Sequence, residues 1–80
     1  MTEAERERER CVTIIRGMEK ALRDVAGNPR IQLDALNIVR IAAEFIATGY
    51  EVDVVLPVFR RHVYRKAGRP DLIFKEEEFT

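Results

Sequence analysis

The sequence is poor in the residues that form disulfides, metal centres and membrane spans. Its 80 residues include one cysteine, one histidine and no tryptophan. A single cysteine excludes an internal disulfide and is typical of a reducing compartment. The longest apolar stretch, residues 54–59, is far shorter than the roughly 20 residues of a membrane-spanning helix. The Glu/Arg-rich amino terminus has no apolar segment of the kind found in secretory signals. The sequence therefore predicts a cytoplasmic protein with no membrane segment.

The sequence also lacks the residue sets on which most enzymes depend. A structural zinc site needs four nitrogen or sulfur ligands and a catalytic one about three from the protein, which Cys11 and His62 cannot supply. Nucleophilic catalysis would require these two residues to meet beside an oxyanion site, and no spacing indicates this. The four glycines are isolated, so no phosphate-binding loop is present. We therefore expect no enzymatic activity, no metal and no cofactor.

Length and charge indicate one small domain covering residues 1–80. Fourteen basic and fourteen acidic residues give a formal net charge of zero, and 46% of the residues are hydrophobic. A chain of this size buries only about 60–65% of the surface that it exposes when unfolded, so its stability is marginal. Opposite and like charges nearly cancel along residues 3–10 if these form a helix. We expect residues 1–8 to be solvated or frayed.

Two segments have clear helical periodicity. Apolar residues recur at spacings of three and four from Cys11 to Val25, and Gly27 followed by Pro29 marks the end of this first helix. The second helix is predicted from Pro29, capped by Asn28, to Ala47. Its apolar residues nearly encircle it, which requires cover on more than one side. The second helix is therefore predicted to be either central or part of an oligomer interface.

The third segment, residues 52–66, is open to two interpretations. Its apolar spacing, a capping Asp53 and the stop signal of Gly68 and Pro70 favour a helix, while Pro57 and the neighbouring valines argue against one. The predicted fold is mainly α: a compact three-helix domain with an extended carboxy-terminal segment, around residues 72–74, packed back on it. The alternative is an α+β fold of two helices and a small antiparallel sheet formed from residues 50–79.

Charge is segregated near the carboxyl end. Residues 54–70 carry five basic side chains and no acidic one, and a run of three glutamates follows. Arginine binds carboxylates and phosphates bidentately, and a tyrosine ring offers a flat anchoring surface. The candidate binding residues are Arg60, Arg61, Tyr64 and Arg65, with Arg69, Glu76, Glu77 and Glu78 as secondary candidates. The competing interpretation is a solvated face neutralised by the chain's own glutamates.

These features indicate three classes of function. The first is a small non-enzymatic module, a regulator or inhibitor, that binds a protein or nucleoprotein partner through the basic face and the acidic tail. Phage-type antagonists that occupy the basic grooves of nucleic-acid-handling complexes illustrate how such a tail would act. The alternative is a nucleic-acid-binding protein, which the acid-free run favours and the zero net charge disfavours. The second alternative is a structural homo-oligomer subunit, suggested by the apolar residues that nearly encircle the second helix.

Overall fold

The computed structural model describes residues 2–77, with side chains described as far as Ile73. Five helices follow one another: α1 (Glu3–Asp24), α2 (Pro29–Leu33), α3 (Ala35–Ala47), α4 (Val52–Lys66) and α5 (Pro70–Glu77). Residues 2–77 contain no strand. The mainly α prediction is confirmed, and the α+β alternative is not supported.

Helix α1 begins at Glu3, ahead of the predicted apolar stripe, and ends near the predicted stop at Gly27. The Thr2 hydroxyl accepts a hydrogen bond from the Glu5 amide at 3.2 Å and so caps the first turn. Residues 2–9 are exposed, and the periodic apolar stripe becomes buried from Ile14 onward. The chain leaves the helix through Gly27, whose φ of 82° lies in the left-handed region that favours glycine. Asn28 and Pro29 then start α2 as predicted.

The predicted second helix is wrong in one respect, because it is divided at Asp34. Helix α2 covers only five residues, and Asp34, with φ of −99° and ψ of 10°, forms a turn before α3. The Asp34 amide still donates hydrogen bonds to the carbonyls of Arg30 and Ile31. Aspartate disfavours helix interiors because its side chain competes for nearby backbone groups, which explains why the break falls here. The apolar pattern continues across the break and so hides it.

The contacts between helices define an up–down–up arrangement. Gly17 of α1 lies beside Leu56 of α4, and the Tyr64 hydroxyl, two turns further along α4, reaches Asp24 near the end of α1. Helices α1 and α4 therefore run parallel. Helix α3 runs the opposite way, since the Arg10 guanidinium at the start of α1 donates to the Ile46 carbonyl near the end of α3 at 3.1 Å.

The core lies where these three helices meet. Phe59 of α4 is fully buried at its centre and meets the ring of Phe45 edge-on, with centroids 6.4 Å apart. Helix α1 contributes an inner face that includes Ile14 and Met18, and α3 contributes Ile38. Pro57 lies inside α4 on its exposed side, and the helical interpretation of residues 52–66 is confirmed.

The carboxy-terminal segment is helical rather than extended, which corrects the prediction for residues 72–74. The chain turns at Gly68, with φ of 72°, and Pro70 takes the first position of α5. Proline is well suited to that position because its fixed φ matches the helix and its missing amide would have no partner there. Leu72 and Ile73 pack against the core, so the segment does fold back as expected.

None of the helices within residues 2–77 combines the length and the apolar character needed to cross a bilayer.

Candidate functional site

The outward face of α4 has an apolar half followed by a basic half. Because Val55 and Phe59 point into the core, residues at the complementary helical positions face solvent. Val54 and Val58 are 53% and 47% exposed, and Arg61 and Arg65 continue the same line at helical spacing. We call these four residues the α4 outer face. A partner on this face would meet aliphatic and cationic side chains together.

An open cleft of about 500 Å³ lies at the basic half of this face. It is lined by Val58, Arg61, His62, Arg65 and Lys66. Three cationic side chains therefore surround one space, with an aliphatic wall on one side. The Nε2 atom of His62 is buried and has no hydrogen-bond partner among the described residues. A buried nitrogen of this kind is normally satisfied, so this atom is an exception among the described residues. We call this space the basic cleft.

Tyr64 does not belong to the exposed face, contrary to the sequence expectation. Its ring is 4% exposed and packs in the core, and its hydroxyl donates to Asp24 Oδ2 at 3.0 Å. Burial raises the pKa of the Tyr64 hydroxyl above its usual value of 10.0, and the hydrogen bond to Asp24 adds to the effect. In a core this small, the buried area of a tyrosine ring outweighs the benefit of presenting it to solvent.

Arg60 lies apart from the α4 outer face. It is half-buried, and its charge partly opposes the rise in the pKa of Tyr64, which places its guanidinium close to that hydroxyl. Arg60 and Arg61 each interact with another residue of the chain. Arg61 is nevertheless exposed, as is Arg65, so these two arginines are the pair that the fold brings together at the cleft.

Arg69 is engaged by a neighbouring carboxylate rather than presented to a partner. Its Nε donates to Asp71 Oδ1 at 3.1 Å and its Nη2 donates to Asp71 Oδ2 at 2.9 Å. This two-bond contact raises the pKa of Arg69 and lowers that of Asp71. An exposed pair of this kind contributes little to stability, but it does neutralise Arg69 as a contact residue.

The acidic tail is only partly described. The backbones of Glu76 and Glu77 form the end of α5, and their side chains lie outside the described residues. Glu78 lies wholly outside them. A role of this tail in binding stays a prediction.

Sequence reasoning missed Val54, Val58, His62 and Lys66 as members of the surface. The signal was present, because Val54 and Val58 stand one turn apart and lead directly into Arg61 and Arg65 at helical spacing. A prediction based on charge alone does not include the apolar residues that share the face. The cleft combines both residue types in one lining.

A second cleft, of about 420 Å³, lies on the first half of α1. Its lining comprises Glu5, Arg8, Glu9, Val12, Thr13 and Arg16. Here acidic and basic side chains alternate, so the local field is largely cancelled. This surface is useful as a reference against which the basic cleft can be tested.

The side chains that bear chemistry are dispersed. Cys11 is partly buried on α1, and its Sγ lies 3.8 Å from Glu7 Oε1. Among the residues whose side chains are described, no three His, Cys, Asp or Glu side chains come together closely enough to hold a metal ion. The basic cleft is therefore the candidate functional site.

Comparisons with protein-family models, with curated proteins and with solved structures find no match to this chain.

Proposed function

We propose that this chain is a non-enzymatic interaction module, a regulator or inhibitor, that binds an acidic segment of a partner protein in the basic cleft of α4. The observation that carries the proposal is the convergence of Arg61, Arg65 and Lys66 on one open space beside the exposed Val58. Cationic and aliphatic groups in one cleft suit a peptide that alternates carboxylate and apolar side chains.

The chemistry of the three cations supports a carboxylate ligand. Each guanidinium offers a planar fork of donors that matches the two oxygens of a carboxylate, and Lys66 adds a more flexible point charge. Together these groups would fix the orientation of a bound segment.

The apolar half of the α4 outer face favours protein over nucleic acid. Val54 and Val58 offer aliphatic surface to an apolar side chain of the partner, which a phosphate backbone lacks. The zero net charge of the chain also argues against nucleic acid, because phosphate contacts supply most of the affinity for it. Nucleic-acid binding is therefore the second candidate function.

A regulatory or inhibitory role follows from binding without a catalytic set. A small chain that occupies a partner's acidic segment blocks whatever else that segment contacts. Arg60 is a secondary candidate at the periphery of such a contact. The tail residues Glu76–Glu78 would contact a basic groove of the partner rather than its acidic segment, as in phage-type antagonists with an acidic tail.

The proposal is tested by reversing charge at the cleft and, as a control, on α1. Arg61→Glu with Arg65→Glu should weaken binding of a labelled peptide of alternating glutamate and leucine by about tenfold or more, since each good charged contact contributes more than 1 kcal/mol. Arg8→Glu with Arg16→Glu makes the same change in net charge at the second cleft and should leave binding almost unchanged. Fluorescence anisotropy measures both, with thermal unfolding as the check on folding.

Two outcomes would contradict the proposal. Equal weakening by both double variants would mean that the net charge of the chain, rather than the basic cleft, determines binding. Binding of a single-stranded oligonucleotide in place of the peptide, with affinity falling steeply as salt rises, would instead support the nucleic-acid alternative. A pull-down from the source cell, with and without nuclease treatment, would then show which class of partner is captured.

A further inference from the structure

Helix α3 leaves an apolar face uncovered on the side opposite the core. Ile38 is 2% exposed and points inward, whereas Leu36 and Val39 are 88% and 65% exposed. Ala43 and Ala47 continue the outward line at helical spacing and are exposed as well. Leu33, just before α3, is 91% exposed. A helix with this composition on its outward side normally has a partner.

The order of large and small side chains along this face fits antiparallel packing of α3 against α3 of a second copy. The large residues Leu36 and Val39 lie in the first half of the helix, and the small residues Ala43 and Ala47 lie in the second. In a two-fold symmetric interface every contact occurs twice: a residue of the first copy meets a given residue of the second, and the same residue of the second copy meets its counterpart in the first. Antiparallel packing of α3 on its copy therefore places each large side chain against a small one.

Electrostatic complementarity favours the same antiparallel arrangement and the same register. Arg40 and Glu44 are both exposed and stand one turn apart beside the apolar line. In an antiparallel pair that sets Leu36 against Ala47 of the second copy, Arg40 lies beside Glu44 of that copy. The two pairings differ in register by a single residue. A single residue is only about 1.5 Å along the helix axis. Parallel pairing would instead set Arg40 against Arg40, which is unfavourable.

The Arg40 and Glu44 side chains are compatible with an ion pair between the two copies. Within the described residues, Glu44 forms no ion pair, and the Arg40 guanidinium donates to Asn37 of the same helix at 2.7 Å. Asn37 lies one turn before Arg40, so this bond leaves the guanidinium at the outer surface. We propose that the uncovered face of α3, centred on Leu36, Val39, Ala43 and Ala47, joins two copies of this chain as an antiparallel pair.

The expected affinity is modest. Stable interfaces bury about 1,200–2,000 Å² in total, and one pair of 13-residue helices is at or below the lower end of that range. We therefore expect dissociation constants on the order of micromolar or weaker. Sedimentation velocity over protein concentrations from about 1 µM to about 1 mM covers this range. The full chain should pass from monomer to dimer within it and form nothing larger.

A matched pair of valine variants tests the location of the interface. Val39→Glu places a charge in the α3 face and should weaken dimerisation by at least about tenfold. Val12→Glu makes the same change at a valine of α1 that is 39% exposed, and should leave dimerisation unchanged. Circular dichroism shows whether each variant is folded, and both sites are exposed enough to tolerate the change.

A charge swap tests the antiparallel register. Arg40→Glu alone sets two acidic residues against each other, and Glu44→Arg alone sets two basic residues against each other, so each should weaken the dimer. The double variant with both changes should restore it to near the wild-type affinity. A strict monomer at all concentrations would overturn the proposal, as would equal weakening by Val39→Glu and Val12→Glu. Failure of the double swap to restore dimerisation would overturn the antiparallel register.

Discussion

At the scale of single residues, Gly17 is a position where α1 and α4 are in close contact. A Cβ atom at this position would lie 2.5 Å from Cδ1 and 2.6 Å from Cδ2 of Leu56. Such distances are too short for carbon atoms, whose favourable separation is about 3.5–4.0 Å. The glycine therefore provides the space in which Leu56 packs on α1, and this explains its presence in the middle of a helix.

Replacing Gly17 tests whether helix propensity or this contact determines the choice of residue. Alanine gains about 1 kcal/mol in a helix interior over glycine, whereas overpacking costs about 1–3 kcal/mol. We expect Gly17→Ala to destabilise the wild-type chain by about 1 kcal/mol, measured by urea unfolding at a fixed protein concentration. In a Leu56→Ala background the same change should stabilise by about 1 kcal/mol. Equal effects in both backgrounds would show that the two residues are not coupled.

At the scale of helices, Asn28 joins the start of α2 to the end of α4. Its side-chain oxygen accepts from the Arg30 amide at 3.0 Å, and its side-chain nitrogen donates to the Ala67 carbonyl at 3.0 Å. The first bond caps a helix and the second satisfies a carbonyl that a helix end leaves without an internal partner. One residue thus fixes two helices that are distant in sequence.

A comparison of two caps tests this double role. Asn28→Ala removes the cap and the bond to Ala67, each worth about 1 kcal/mol, so we expect a loss of about 2 kcal/mol. Thr2→Ala removes a cap without a tertiary contact and should cost only about 0.5 kcal/mol. Thermal or urea unfolding of both variants measures the difference. Similar losses would indicate that the bond to Ala67 contributes nothing.

The helices differ in how far the sequence alone predicts them. Helix α1 is predictable because a regular apolar stripe ends at Gly27, and α4 because its spacing outweighs the effect of Pro57. The turn at Asp34 is not, since the apolar pattern runs through it without a change of period. Helix α5 is missed for a different reason. Pro70 is both a good end signal for α4 and a good first residue for a new helix, and three consecutive apolar residues have no period.

The candidate site was predictable in the same limited way. Arg61 and Arg65 follow from spacing on one helix, because i and i+4 always share a face. The burial of Tyr64 depends instead on Asp24, which is 40 residues away in sequence. The pattern along α4 permits a tyrosine either inside or outside, and only the docking of α1 decides between them.

At the scale of the whole molecule, the core formed by the described residues is small and apolar. Among the residues whose side chains are described, those that are buried are all apolar apart from the hydroxyl of Tyr64. Losing about 1 kcal/mol shifts the melting temperature of an 80-residue domain by roughly 4–8 °C, so single contacts are measurable. Since none of these buried residues carries a charge, Tyr64 is the one among them whose pKa shift links folding to pH.

The pH dependence of unfolding follows from the raised pKa of Tyr64. As pH rises above 10, the unfolded chain releases this proton before the folded chain does, so stability present below pH 10 is lost as pH passes through the folded pKa. Tyr64→Phe keeps the ring, should cost about 1 kcal/mol at neutral pH, and should remove this loss at high pH. The difference in unfolding free energy between wild type and Tyr64→Phe should therefore shrink as the solution becomes alkaline.

Tyr50→Phe, at a tyrosine that is 63% exposed, is the matched control and should follow wild type throughout. Urea unfolding at a series of pH values measures all three proteins, and a difference that stayed constant above pH 10 would show that the Tyr64 hydroxyl is not coupled to folding.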